Sequence, residues 1–190
     1  MDLSKLEKNL GYKFKKEELL QEALTHRSYL NENPRWHVPH NERLEFLGDA
    51  VLELIVTEGL FGKFPHEDEG KLTTLRAALV NYQMLAKLSV RIELEKNILM
   101  SKGEAKDKGR AREVILANAM EALIGALYLD GGYDSAGEFI GKFILPEIKD
   151  VLQKGSYKDP KSMLQEKAQA GKKVTPNYRL IAEKGPDHKK

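Results

Sequence analysis

The chain has 190 residues, 41% hydrophobic and 32% charged, with a formal net charge of +2. That composition fits a folded globular protein and excludes a disordered or fibrous one. It contains no cysteine, which excludes disulfides and thiolate metal sites. The N-terminal stretch MDLSKLEKNLGYKF has no apolar run of secretory type, and no segment reads as a membrane span, so a cytoplasmic protein that makes no membrane contact is expected.

Helical periodicity dominates residues 1–153. Leu19-Leu20 with Ala23-Leu24, then Leu44 to Leu60, Leu72 to Leu88, and Val114 to Leu129 read as helices. A last one, Ser135 to Leu152, is interrupted by Pro146. Turns are marked at Asn31–Pro34, Phe64-Pro65 and Gly131-Gly132. The expectation is an all-α body over 1–152 and a linker at 153–158. A different segment follows at 159–190, where Asp159-Pro160 opens a short helix, Val174 to Ala182 is extended and Gly185-Pro186 turns. One helix and a strand and a half bury no core of their own. From Lys154 onward there are ten Lys/Arg against four Asp/Glu, whereas the remainder carries 21 against 25. A basic tail on a mildly acidic body fits a polyanionic partner and a solvated lysine-rich tail equally.

The stretch HNERLEFLGDAVLEL at 40–54 raises a chemical question. On a helix, Leu44, Leu47, Val51, Leu54 and Ile55 gather toward a core, while Glu42, Glu45, Asp49 and Glu53 gather opposite. Like charges in a row cost only a few tenths of a kcal/mol per neighbouring pair, so a solvated face explains this helix taken alone. A second helix, VILANAMEALIGALYLD at 114–130, turns Leu116, Met120, Leu123, Ile124 and Leu127 to the core and sets Asn118, Glu121 and Gly125 on the other side. A carboxylate on so apolar a helix needs a cation, and no Lys or Arg lies between Arg112 and Lys142. If the two helices cross, oxygen donors from both converge, a set suited to Mg²⁺ and to metal-assisted phosphodiester hydrolysis. No Ser-His or Cys-His pair and no zinc-type histidine spacing is present. Phe46, on the acid side, reads either as an incidental exposed aromatic or as a residue that inserts into a partner subunit.

These residues resemble the ribonuclease III family of double-stranded-RNA endonucleases. HNERLEFLGDAVL at 40–52 is similar to the family signature. LTHRSY at 24–29, FP…EGKLTTLRAALVN at 64–81, GEAKDKGRAREVILANAMEALIGALYLDGGY at 103–133 and DPKSMLQEKAQ at 159–169 follow in the family's order. The resemblance implies an all-helical catalytic domain forming a symmetric homodimer. It also implies magnesium-dependent cleavage, with Mn²⁺ able to substitute, leaving 5′-phosphate, 3′-hydroxyl and staggered ends in ribosomal and other RNA precursors. No small-molecule cofactor is implied. By motif, Glu45, Asp49, Asn118 and Glu121 are the metal set, with Asp49 and Glu121 catalytic. Glu42 and Glu69 lie near the scissile strands, and Phe46 inserts into the partner.

The chain departs from the family at two places. Asn118 stands where the family usually has Asp, which implies weaker metal affinity or slower turnover, with a catalytically weakened or inactive duplex-RNA binder as the alternative. Residues 159–190 resemble only the first half of a double-stranded-RNA-binding domain. There Ser162, Gln165, Glu166 and Gln169 would face one minor groove, and Pro186, Asp187 and His188 the next; an ordinary amphipathic helix accounts for the first four equally. The loop Gly103–Arg112 is basic, and Lys106, Lys108, Arg110 and Arg112 are candidates for phosphate contact.

Overall fold

A computed structural model describes residues 3–155, together with the isolated residues 168, 171 and 179. Two compact units divide at Tyr157 and Lys158, and the continuous stretch 3–155 belongs to the first. The candidate RNA-contacting residues Ser162, Gln165, Glu166, Gln169, Pro186, Asp187 and His188 lie outside the described residues.

Eight α-helices form the first unit: α1 Ser4–Leu10, α2 Glu17–Ala23, α3 Arg27–Glu32, α4 Glu42–Lys63, α5 Glu69–Val80, α6 Tyr82–Arg91, α7 Arg110–Phe143 and α8 Ile148–Lys154. The expected all-α architecture is what the chain adopts. A single parallel bridge, Thr25 to Leu99, is the extended pairing found among the described residues. Helix α7 is the axis of the core. Every residue from Ala119 to Leu127 except Glu121 is buried, because α4 and α6 pack along it while α2 closes one end. One window of the helical stretch 110–154 is long and apolar enough to cross a bilayer by composition, contrary to the expectation from sequence, but it is 67% buried inside the domain.

Three elements differ from expectation. The stretch Leu72 to Leu88 is two helices. Asn81 takes an extended conformation between them, and its carboxamide oxygen accepts from the Met84 N–H at 2.9 Å, capping α6. The turn at Gly131-Gly132 is a kink within α7, where Gly132 has φ 77° and ψ −171°, a conformation open to glycine. Asp130 fixes this kink against the N-terminal segment by accepting from the Tyr12 hydroxyl at 2.8 Å and from the Lys15 and Lys16 N–H groups at 2.9 Å. Finally, Leu54 is not in the core; it is 58% exposed. The buried face of α4 is Leu44, Gly48, Val51, Leu52, Ile55, Val56 and Leu60. At about 100° per residue its centre lies roughly 60° or more around the helix from Leu47 and Leu54.

At the C-terminal end of the body, buried Glu147 joins α6 to the turn before α8. Its carboxylate accepts from Lys87 Nζ and Arg91 Nη1, both at 2.7 Å. Burial pushes this carboxyl up, but the two hydrogen-bonded cations outweigh burial and hold it below the usual range. Its contribution to stability is therefore present above the ordinary glutamate pKa and is lost as pH falls through the depressed value. Glu147→Gln is expected to cost about 1–3 kcal/mol at pH 7. The difference from the parent narrows in thermal melts taken toward pH 3.

Candidate active site

The site is made where α4 crosses α7, and two glycines set the crossing. A Cβ placed on Gly48 would lie 1.7 Å from the Glu121 carbonyl oxygen and 2.9 Å from the Gly125 nitrogen. One placed on Gly125 would lie 2.3 Å from the Leu44 carbonyl oxygen. The helices thus meet backbone to backbone, closer than side chains permit. Gly125, expected on the polar side, is buried in this contact.

That approach places Glu121 beside the first turns of α4. Burial pushes the Glu121 carboxyl up to about 7, and the charges of Asp49 and Glu45 push the same way. Glu45 is also raised, first by burial and then by Glu42, with Asp49 adding to it. A hydrogen bond between the side chains of Asn118 and Glu45 works in the opposite direction. Glu45, Asp49, Asn118 and Glu121 are therefore one electrostatic group drawn from two helices, as the sequence pattern anticipates. Glu45 and Glu121 are half-buried and Asp49 is exposed, so the group opens to solvent.

The donors are all hard oxygens whose ionised forms repel one another, and a divalent cation would reverse that penalty. The set fits such an ion. Among the described residues no three acidic or histidine side chains close into a ligand cage. This open arrangement suits an ion that keeps several waters and takes one or two carboxylates together with substrate phosphate.

The other acids go elsewhere. Glu53 pairs with Arg76 at 3.1 Å. Glu42 sits at the start of α4 and pairs with Arg27 Nη1 at 3.2 Å. Glu69, the first residue of α5, lines a separate groove of about 460 Å³ with Thr57, Phe61 and Arg76. It is not among the charges acting on Glu45 or Glu121, so this protomer does not bring it to the acid group.

Phe46 is 83% exposed and borders a cleft of about 690 Å³ lined by Leu19, Glu22, His40, Leu47 and Leu129. Leu54 and Phe61 also face out, 58% and 72% exposed. With Leu47 and Ala50 they form a second, uncovered apolar line on α4 at 3–4–7 spacing. Sequence periodicity misses this line because it assigns Leu54 to the core. In the basic loop, Lys106, Lys108 and Arg110 are exposed. Arg112 instead donates to the Met100 sulfur at 2.7 Å, and the Arg110 guanidinium lies 5.7 Å from the Tyr82 ring centre.

An all-helical domain that gathers carboxylates at a glycine-mediated helix crossing defines a nuclease of the hydrolase class, and comparison with known proteins specifies which. The family model described as "Ribonuclease-III-like" matches residues 16–148. Ribonuclease 3 of Nitratiruptor sp. is 45% identical over 188 residues, 99% of this chain and 80% of that protein. Ribonuclease 3 of Sulfurovum sp. is 47% identical over 189 residues, 100% and 82%. The nuclease domain of ribonuclease III from Campylobacter jejuni, whose structure concerns flexibility in a region involved in dimer formation, is 45% identical with a TM-score of 0.68, covering 75% of this chain and 96% of that one. The chain belongs to the ribonuclease III family: it is a double-stranded-RNA endoribonuclease. The family is typically metal-dependent.

Proposed function

We propose that the acid group at the α4–α7 crossing is the cleavage site and that its ion is Mg²⁺, with Mn²⁺ able to replace it. The observation that carries this reading is the mutual repulsion of Glu45, Asp49 and Glu121, held together by a backbone contact that no larger residue permits. Glu45, Asp49 and Glu121 would hold the ion, and Asn118 orients Glu45 through their hydrogen bond. When bound, such an ion acidifies water and neutralises charge developing on the phosphate. Water adds across the P–O3′ bond, the phosphate stays on the 5′ side and the 3′ oxygen takes the proton, which gives 5′-phosphate and 3′-hydroxyl ends. Glu42, exposed at the mouth, faces the strand approaching the site.

Phe46 and the apolar line through Leu54 and Phe61 support a homodimer built on α4. Two sites related by a twofold axis would cut the two strands and leave staggered ends, and Glu69 would act on the partner's side of that assembly. We further propose the division into a catalytic domain at 1–152, a linker at 153–158 and part of a double-stranded-RNA-binding domain at 159–190, although Gln153 and Lys154 form the last turn of α8. The cellular reading is cytoplasmic processing of ribosomal, messenger and transfer RNA precursors.

The test is cleavage of a labelled RNA duplex and its DNA counterpart, with magnesium and with chelator. The expected result is cutting of RNA alone and of nothing in chelator. Asn118→Asp, which adds a carboxylate, is expected to raise the rate about 10-fold or more at limiting magnesium. An intact duplex with the parent protein, cut only by Asn118→Asp, would show that this chain binds RNA without cleaving it.

A further inference from the structure

We infer that Arg27 is a substrate-positioning residue whose guanidinium binds a phosphate of the RNA strand lying along the acid cleft. The inference rests on the reading of that cleft as the cleavage site. A polyanion entering a mouth that carries Glu42, Glu45 and Asp49 meets repulsion, so a cation at the rim is needed to hold the strand. Arg27 stands there, with Nη1 3.2 Å from Glu42 Oε1 and the side chain 70% exposed.

The placement is built into the backbone. His26 N–H donates to the Leu99 carbonyl at 2.9 Å, and Asn41 N–H donates to the Thr25 carbonyl at 2.9 Å. The Asn41 carboxamide, buried, donates to the Ala23 carbonyl at 3.2 Å. His26 then caps α3 by accepting from Ser28 N–H at 3.3 Å. The residues on both sides of the Arg27–Glu42 pair are thus locked to one another, and the guanidinium can reach only the region around the start of α4. Ser101 N–H donates to Ser28 Oγ at 2.9 Å, which starts the basic loop, with Lys102, Lys106 and Lys108 exposed, from the same short helix. Arg27 joins that loop to the acid cleft.

The pair itself does little for the fold, since an exposed ion pair contributes about 0–1 kcal/mol. The geometry instead leaves most of the guanidinium's five donors facing water, where its planar fork suits a phosphate bidentately. Glu42 keeps the fork pointed at the cleft until RNA arrives.

The test measures binding of a labelled RNA duplex in chelator over a range of salt, and cleavage with magnesium, for the parent, Arg27→Gln, Arg27→Ala and Arg27→Lys. Loss of one phosphate contact lowers the slope of log affinity against log salt by about 1. Arg27→Gln and Arg27→Ala are expected to show that decrease, about 3–10-fold weaker binding near 0.1 M salt, and melting temperatures within about 3 °C of the parent. Arg27→Lys is expected to keep the parent's slope, because it keeps the charge. A parent that cleaves beside an Arg27→Ala protein with an unchanged slope would overturn the role of Arg27 alone. A slope reduced equally in Arg27→Lys would overturn it too, since packing rather than charge would then be lost. A parent that neither binds nor cleaves duplex RNA would overturn the cleft reading and this inference with it.

Discussion

Gly48→Ala is expected to lower the melting temperature by about 6–12 °C and to reduce single-turnover cleavage by about 100-fold. The added Cβ would meet the Glu121 carbonyl oxygen at 1.7 Å, its carbonyl carbon at 2.6 Å and the Gly125 nitrogen at 2.9 Å. All three are backbone atoms of the helix at the centre of the core, so no side-chain rotation relieves the clash. Overpacking a core costs about 1–3 kcal/mol when side chains can adjust. With backbone on both sides the cost is about 3 kcal/mol or more, which for a domain of this size gives that drop in melting temperature. The activity loss has a separate cause. The helices separate to admit the methyl group, and Glu45 and Asp49 move away from Glu121; a displacement of about 1 Å at a reacting centre costs about 100-fold. Gly62→Ala is the control. It lies on the same helix with nothing within 4 Å of a Cβ and is expected to be neutral or to stabilise by up to about 1 kcal/mol. Equal melting temperatures for the parent and Gly48→Ala would show that the two helices do not meet backbone to backbone.

The same glycines explain what sequence can and cannot disclose. Periodicity locates α4 and α7 and their acids, because Leu, Val and Ile recur every three to four residues there and the carboxylates stand out among them. It cannot locate the crossing. Glycine adds nothing to a hydrophobic count, and Gly48 and Gly125 matter through the side chain they lack. Without Gly48, the apolar pattern of α4 centres too near Leu47, which draws Leu54 into the core and hides the exposed line through Phe61. Leu72 to Leu88 keeps its period across Asn81, so nothing apolar marks the break; the signal is an N-cap residue standing three before Met84, whose N–H it accepts. Helix α3 is too short to show a period. Arg27 carries no sequence signal because its pairing with Glu42 joins two elements whose contact depends on backbone hydrogen bonds through Thr25 and Asn41. Family resemblance places Glu69 with the other acids, while within one protomer it lines the groove beside Phe61 and Arg76.

Glu121→Gln is expected to abolish cleavage while making the metal-free protein more stable. In the folded chain the Glu121 carboxyl is raised from 4.5 to about 7, first by burial and then by Asp49 and Glu45. Between those values the folded state holds a proton that the unfolded state has released. Stability from this group is complete below the ordinary glutamate pKa and is lost as pH rises through about 7. Above that, the ionised carboxylate is a net cost. The shift caps it at about 3 kcal/mol, and water reaching the open cleft reduces it to about 1–2 kcal/mol. Glutamine carries no such charge, so in chelator at pH 8 the variant should melt about 2–8 °C above the parent, with the gain disappearing toward pH 4. Magnesium should reverse the order, since an ion held by the native carboxylate stabilises the parent by mass action and finds a weaker site in the variant. Cleavage should fall by about 1,000-fold or more, the scale of losing a group that stabilises charge developing in the transition state, while duplex RNA binding in chelator holds or improves slightly as a repelling charge is removed. A variant that melts below the parent in chelator at pH 8 would mean that Glu121 is held by a favourable partner in the free protein, and the strain assigned to the acid group would be wrong.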